Sequence, residues 1–426
     1  MPIYILFLFL FGLSIDYKGV EEGGNVFQLV IIFTTMVSGL IIVLKPVSQN
    51  KLNPIFRKIG WILFLHLVST FVVAFVCDIE FARYSRVIIT YVLLVLGYLV
   101  GGRITQFSKF DLDKITLLMA TSSFVSIIFT LIYGVLSSGV ELSEMRYQIL
   151  SPLMYVAMPI FAYYAFISKS YRIYSLLALL IILVIILVSA TRSWLIGYIG
   201  VMFTAFFYGN LRRHGSAKSI ALGVFNGASF LMFVIILLSL FSPDLASRMI
   251  DRVFVIDNVG FDITTATRLA EIDYQIDLWT ADASRFLFGN GLGASYGFGG
   301  ENVEQLVILL GNDGNASDLW FAGHNFWIYS VFTQGIVAGV IVPLIMLHAL
   351  FVCTKNVFTK NFNKFCINGD QFGMHSLFSL IFISVILQTI GGNPLGSRML
   401  SMFIGVILGL TYSLINNNLA IRKSHD

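Results

Sequence analysis

Four side chains stand where the sequence suits them to chemistry on an anion. Arg192 lies between two long apolar runs, with no acidic residue near it in the sequence. A guanidinium at that depth is costly unless it meets an anion or a water-filled cavity, and its planar fork of donors fits phosphate or carboxylate in two-point contact. Arg268 opens an amphipathic stretch, close to its apolar stripe. From spacing alone it fits either a lipid phosphate or an i+3 pair with Glu271 on a solvated face. His324 and Asn325 stand at the start of another apolar run. The free N–H groups and dipole of a helix N-terminus favour an anion there, and a neutral imidazole can take a proton from an attacking hydroxyl. Equally, Asn325 can simply cap the helix and His324 can be an interfacial residue.

The elements that must position these groups are membrane helices. Hydrophobic residues make up 57% of the 426 and charged residues 12%, which excludes an ordinary soluble protein. A mean hydropathy of +0.86 arises from many separate apolar runs. Twelve such runs are read as spans, near 1–15, 26–44, 60–77, 87–102, 115–137, 151–168, 173–190, 194–209, 219–241, 325–353, 374–391 and 399–416. The first has no basic leader and no small-residue cleavage site, and is read as a membrane helix. The expected fold is therefore an all-α polytopic membrane protein. Its three parts are residues 1–241 with nine spans, a polar loop over 242–324, and 325–426 with three spans and a tail.

Net charge of +4, dispersed along the chain, does not suit nucleic acid. Cys77, Cys353 and Cys366 form no CxxC pair, so neither a disulfide framework nor a zinc site is expected. Orientation follows from the basic residues. With both termini cytoplasmic, the inner loops hold most of the Lys. The outer face then holds Lys18 and nine Arg: Arg83, Arg86, Arg146, Arg192, Arg248, Arg252, Arg268, Arg285 and Arg398. Most of these have acidic neighbours, as Arg83 has Asp78 and Glu80, and Arg248 and Arg252 have Asp244 and Asp251. Arg192 does not. No Asp, Glu, Lys or Arg falls clearly within a span core; only His66, His348 and His375 do, and they are read as packing residues. An ion-coupled transporter would carry buried carboxylates or cations at that depth.

In the long loop, Leu269, Ile272, Ile276 and Trp279 recur at helical spacing, with Glu271, Asp273 and Asp277 on other faces. This predicts an amphipathic helix over 264–283, lying on the outer surface of the membrane. Gly289, Gly291 and Ala294 satisfy G-x-G-x-x-A, but no strand-to-helix unit surrounds them, so no dinucleotide site follows. The segment is read as a turn that lets backbone pack against membrane helices or a glycan. Asn315-Ala-Ser317 is a sequon in a further loop.

Taken together, three motifs resemble those of the O-antigen polymerase and O-antigen ligase superfamily of bacterial envelope glycosyltransferases. They are Ser189-Ala-Thr-Arg192; Arg268 to Trp279 followed by Phe288-Gly-Asn-Gly-Leu-Gly293; and His324-Asn325 with Gly335. The resemblance covers the twelve-span layout and is sharpest over 186–340. It implies a GT-C-like fold of about twelve transmembrane helices with a large periplasmic loop containing amphipathic helices. It places the protein in the bacterial inner membrane with a periplasmic active site. The implied donor is a glycan on undecaprenyl pyrophosphate and the acceptor is a glycan or lipid-linked hydroxyl, with no cofactor, no metal and no nucleic acid. A chain-length regulator or a flippase is the implied protein partner. Carried over by motif, Arg192 and Arg268 hold the pyrophosphate, His324 is the general base or positions the acceptor, and Asn325 supports it. Gly335 is followed by Ala338 and Gly339, a departure from the Gly-x-x-Gly, Thr or Tyr ending frequent in ligases, which favours a polymerase. A ligase acting on lipid A core is the alternative. A flippase or transporter of lipid-linked oligosaccharide is the alternative from another class.

Overall fold

In the computed structural model the described residues are 3–16, 26–46, 53–107, 111–137, 148–189, 191–214, 263–300, 320–362 and 369–414, with isolated positions at 222, 225, 229, 232, 233, 236 and 303. All elements named among them are helical, and Tyr296 and Trp320 form one isolated antiparallel bridge. The helices are α1 (Ile3–Phe11, extended by a 3-10 turn Gly12–Ile15), α2 (Val26–Leu44), α3 (Pro54–Val76), α4 (Phe81–Ile104) and α5 (Leu112–Ser137). They continue with α6 (Met154–Ala162, followed by a π-helical stretch Tyr163–Ser168), α7 (Arg172–Ser189) and α8 (Arg192–His214). Next are α9 (Ile263–Thr280), α10 (Ala283–Phe288), α11 (Phe326–Gly339), α12 (Ile341–Phe362), α13 (Gly369–Gln388) and α14 (Arg398–Leu414).

Seven of these helices are long and apolar enough to cross a membrane, which makes this an all-α, membrane-embedded protein. Side-chain placement agrees. On α2 the buried positions include Gln28, Thr35, Ser38 and Gly39, while Leu29, Val30, Phe33 and Leu40 are exposed. Small and polar residues face inward and large apolar ones outward, as lipid solvent requires.

The core is built around α4 and α14. Every residue from Met399 to Ser413 is buried, so α14 meets only protein. At about 1.5 Å per residue its 17 residues fall short of a bilayer core of roughly 30 Å, a mismatch that is harmless in a helix with no lipid contact. A Cβ on Gly101 would lie 2.2 Å from the Val406 carbonyl, and one on Gly405 would lie 2.1 Å from that of Leu94. Backbone therefore packs directly on backbone.

Contacts sort the helix ends into two rims. At one, Asn53 donates to the Tyr412 carbonyl (2.8 Å), Arg103 to that of Lys45 (2.7 Å) and Arg212 to that of Ile167 (3.0 Å). At the other, Arg398 pairs with Asp16 (2.9 Å), Arg83 donates to Ser295, and Asn393 donates to the Gly323 carbonyl (3.2 Å). Arg83 also pairs with Glu80 (3.0 Å) and Arg285 with Asp282 (3.2 Å), as expected for Arg with acidic neighbours.

The apolar run 325–353, expected as one span, is two helices. Inside α11, Gly335 adopts φ 65°, ψ 179°, a conformation open essentially to glycine alone. The chain then doubles back: a Cβ on Gly339 would lie 2.3 Å from the Ser330 carbonyl, although nine residues of straight helix would separate them by about 13 Å. Of the two, α12 is the one long and apolar enough to cross a membrane, and His324 and Asn325 begin the shorter α11. The expected span at 219–241 falls almost wholly outside the described residues. Arg248, Arg252, the Asn315 sequon and Cys366 also lie outside them.

Candidate functional site

The turn into α8 brings up the first of the anion-suited residues. The Thr191 carbonyl accepts the Leu195 N–H (3.2 Å) in the first hydrogen bond of the helix, so Arg192 and Ser193 occupy its first turn. Trp194 stacks on the buried Tyr155 of α6 with ring centroids 3.8 Å apart, and the Ser193 hydroxyl bonds the Tyr155 hydroxyl. Arg192 itself is half-buried at the rim.

Arg268 comes to the same place from α9. A Cβ built on Gly391 would lie 2.5 Å from Cβ of Ser193 and 3.1 Å from Nη1 of Arg268. The guanidinium of Arg268 therefore sits beside the residue that follows Arg192. Arg268 has no carboxylate within ion-pair distance among the described residues, whereas Arg83, Arg285 and Arg398 each have one. The i+3 pairing with Glu271 does not form.

Glu271 is instead turned inward. The buried face of α9 carries Ala266, Ala270, Glu271 and Gln275, while Leu269 of the apolar stripe is exposed. Ala266 and Ala270 pack toward Phe298, and the carboxylate of Glu271 meets His324 at the start of α11. Its Oε1 accepts the backbone N–H of His324 (2.9 Å) and Nε2 of Gln275 (3.1 Å), and its Oε2 lies 3.0 Å from Nδ1 of His324. Asn325 accepts the N–H groups of Trp327 (3.1 Å) and Ile328 (3.0 Å), and so caps α11. The side chain of His324 is 52% exposed and that of Glu271 2%. A substrate can reach the imidazole, and the carboxylate stands behind it.

The connection from α13 to α14 closes the group. Trp327 donates its indole N–H to Thr389 (2.9 Å), and Asn393 donates to the Gly323 carbonyl (3.2 Å). Thr389 to Asn393 thus touches the starts of α8 and α11 as well as Arg268. Neither this connection nor the Glu271–His324 contact emerges from the sequence reading. A faint signal for the first was Gly391-Gly392, a pair of residues able to admit close neighbours.

The glycine-rich turn after α10 fixes the separation of α9 and α11. Asp282 caps α10 by accepting the Arg285 N–H (2.8 Å), and hydrogen bonds from Ser284 and Arg285 hold its carboxyl below the usual range. Gly289 and Gly291 have φ of 82° and 91°. The turn then donates Asn290 N–H to the Phe332 carbonyl and Gly291 N–H to that of Thr333, both at 2.9 Å. In an unbroken helix those carbonyls would serve residues 336 and 337. The break at Gly335 releases them, and the turn satisfies them. The G-x-G-x-x-A match is thus a backbone splice, in line with its reading as a packing turn.

The arrangement can bind an anion at the Arg268–Ser193 side and accept a proton at the His324 side. Among the described residues no three His, Cys, Asp or Glu side chains cluster so as to hold a metal ion. No family model and no curated protein matches the chain.

Proposed function

We propose that the protein is a membrane glycosyltransferase of the O-antigen polymerase and ligase type. In this reading it transfers a glycan from undecaprenyl pyrophosphate to an acceptor sugar hydroxyl at the outer face of a bacterial inner membrane. One observation carries the reading. Neighbouring turns of α9 aim a guanidinium at the start of α8 and a carboxylate at His324, so that an anion-binding group and a proton acceptor belong to one rim. The separation of helix ends into two rims supports the alternation of sides on which the orientation rests.

Arg192 and Arg268 face the pyrophosphate in this mechanism. The acceptor oxygen attacks the anomeric carbon, its proton passes to His324, and the bond from that carbon to the pyrophosphate oxygen breaks. The electron pair leaves with undecaprenyl pyrophosphate, where guanidinium groups stabilise the developing charge. The bilayer holds the polyprenyl tail, so remote binding contributes to positioning. The preferred form is a polymerase, extending a chain on the next lipid-linked repeat unit.

The test is direct. Purified protein in nanodiscs, given a lipid-pyrophosphate repeat unit, is expected to release undecaprenyl pyrophosphate and lengthen the glycan. In proteoliposomes, substrate that changes leaflet without bond cleavage would replace this reading with a flippase. Transfer to lipid A core but not to a repeat unit would replace polymerase with ligase.

A further inference from the structure

We propose that Glu271 is a positioning residue that fixes the tautomer and orientation of His324, with Gln275 as its buttress; this rests on the reading of His324 as the proton acceptor. The geometry is specific. Glu271 engages both the main chain and the ring of His324, at 2.9 Å and 3.0 Å, so the imidazole cannot turn without losing a bond to a buried carboxylate. Gln275, wholly buried one turn further along α9, directs its amide N–H at the same carboxylate (3.1 Å). Trp320 approaches the ring with its centroid 6.2 Å away.

An ionised carboxylate only accepts hydrogen bonds. With Glu271 as the acceptor, Nδ1 of His324 is the donor, and in a neutral ring Nε2 is the basic nitrogen. That is the nitrogen left to take the acceptor's proton. As the carbon–pyrophosphate bond breaks, the proton arrives on Nε2, and the Glu271 carboxylate lies beside the imidazolium so formed. A carboxylate needed merely to tie α9 to α11 would require only the backbone N–H of His324. The second bond, to the ring, is what a proton-transfer role calls for.

Two measurements on the full chain in nanodiscs test this. The first needs no activity. Among the six histidines, His324 is assigned in ¹⁵N spectra by its loss in His324→Gln, and its neutral ring at pH 8 is expected to be protonated on Nδ1. A ring protonated on Nε2 overturns the proposal. The second is kinetic. Glu271→Gln is expected to lower kcat by about 10²–10⁴-fold, the range of general-base contributions, with donor KM within about two-fold. Glu271→Asp should recover part of the loss, because it keeps an acceptor on a shorter stem. Unchanged kcat in a folded Glu271→Gln protein overturns the proposal, as does an equal loss expressed wholly in KM. If Glu271→Gln does not fold, the wild-type tautomer decides instead. Failure of the function reading looks different: wild-type protein would cleave no lipid pyrophosphate while His324 still carried its proton on Nδ1.

Discussion

Arg268 differs from Arg83, Arg285 and Arg398 in what surrounds it, and that difference predicts what its loss does. Arg83, Arg285 and Arg398 each meet a carboxylate, while the Arg268 guanidinium and Ser193 both flank the position a Cβ on Gly391 would take. Arg268→Ala or Arg192→Ala should abolish transfer while membrane insertion, followed by protease protection, stays normal. Arg192→Lys should also lose about 10²-fold or more in kcat/KM, because a point charge lacks the two-point fork. Wild-type turnover in the alanine variants would remove the leaving-group role. His324→Ala should lose transfer while donor affinity, measured by lipid-pyrophosphate binding, changes little. At this scale residue type was legible and partnership was not. Arg192 stood out because nothing beside it in the sequence could neutralise it. Glu271 looked like one of several acids on a solvated face, and its partner lies 53 residues away, brought near only by the packing of α9 on α11.

Among the elements, α10, its glycine turn and the broken α11 act as one unit. The turn gives its N–H groups to carbonyls that the break at Gly335 exposes, so neither piece is satisfied alone. Orphaned backbone groups at membrane depth are expensive, and this pairing is how the chain tolerates irregular backbone there. A Cβ on Gly335 would meet the Leu287 carbonyl at 2.2 Å, and one on Gly289 would meet the Gln334 nitrogen at 2.4 Å. Gly335→Ala should therefore destabilise the fold by about 3 kcal/mol or more, from the disfavoured φ together with the clash. Thermal unfolding in detergent measures it. Equal melting of Gly335→Ala and wild type would mean that the break is not required. The sequence placed a helix start at Asn325 and a turn at 288–293. It could not divide 325–353, since an unbroken apolar run carries no mark of where backbone hydrogen bonds leave the helix.

At the scale of the molecule, the membrane character was legible from hydropathy, because apolar length is a local property. The central pairing of α4 with α14 was not drawn from it, although Gly97-x-x-x-Gly101 and Gly405-x-x-x-Gly409 are the small-residue spacing that admits close helix approach. Gly101→Val should prise the two helices apart and cost about 3 kcal/mol, the upper end for overpacking, read as lost monodisperse protein on size exclusion. Sidedness has its own probe. Cys77 is exposed beside the turn that carries Gly291, whereas Cys353 is buried. In a Cys353→Ala, Cys366→Ser background, a membrane-impermeant maleimide added from outside is expected to label Cys77. Labelling only after the membrane is opened would invert the orientation. The wholly enclosed α14 also bears on biogenesis. It leaves the ribosome after every other element described, yet it is the element around which α4 must close. Until it arrives, the glycine-lined flank of α4 has only lipid or an insertion chaperone to cover it. Truncations that stop before residue 398 should therefore be cleared by quality-control proteases.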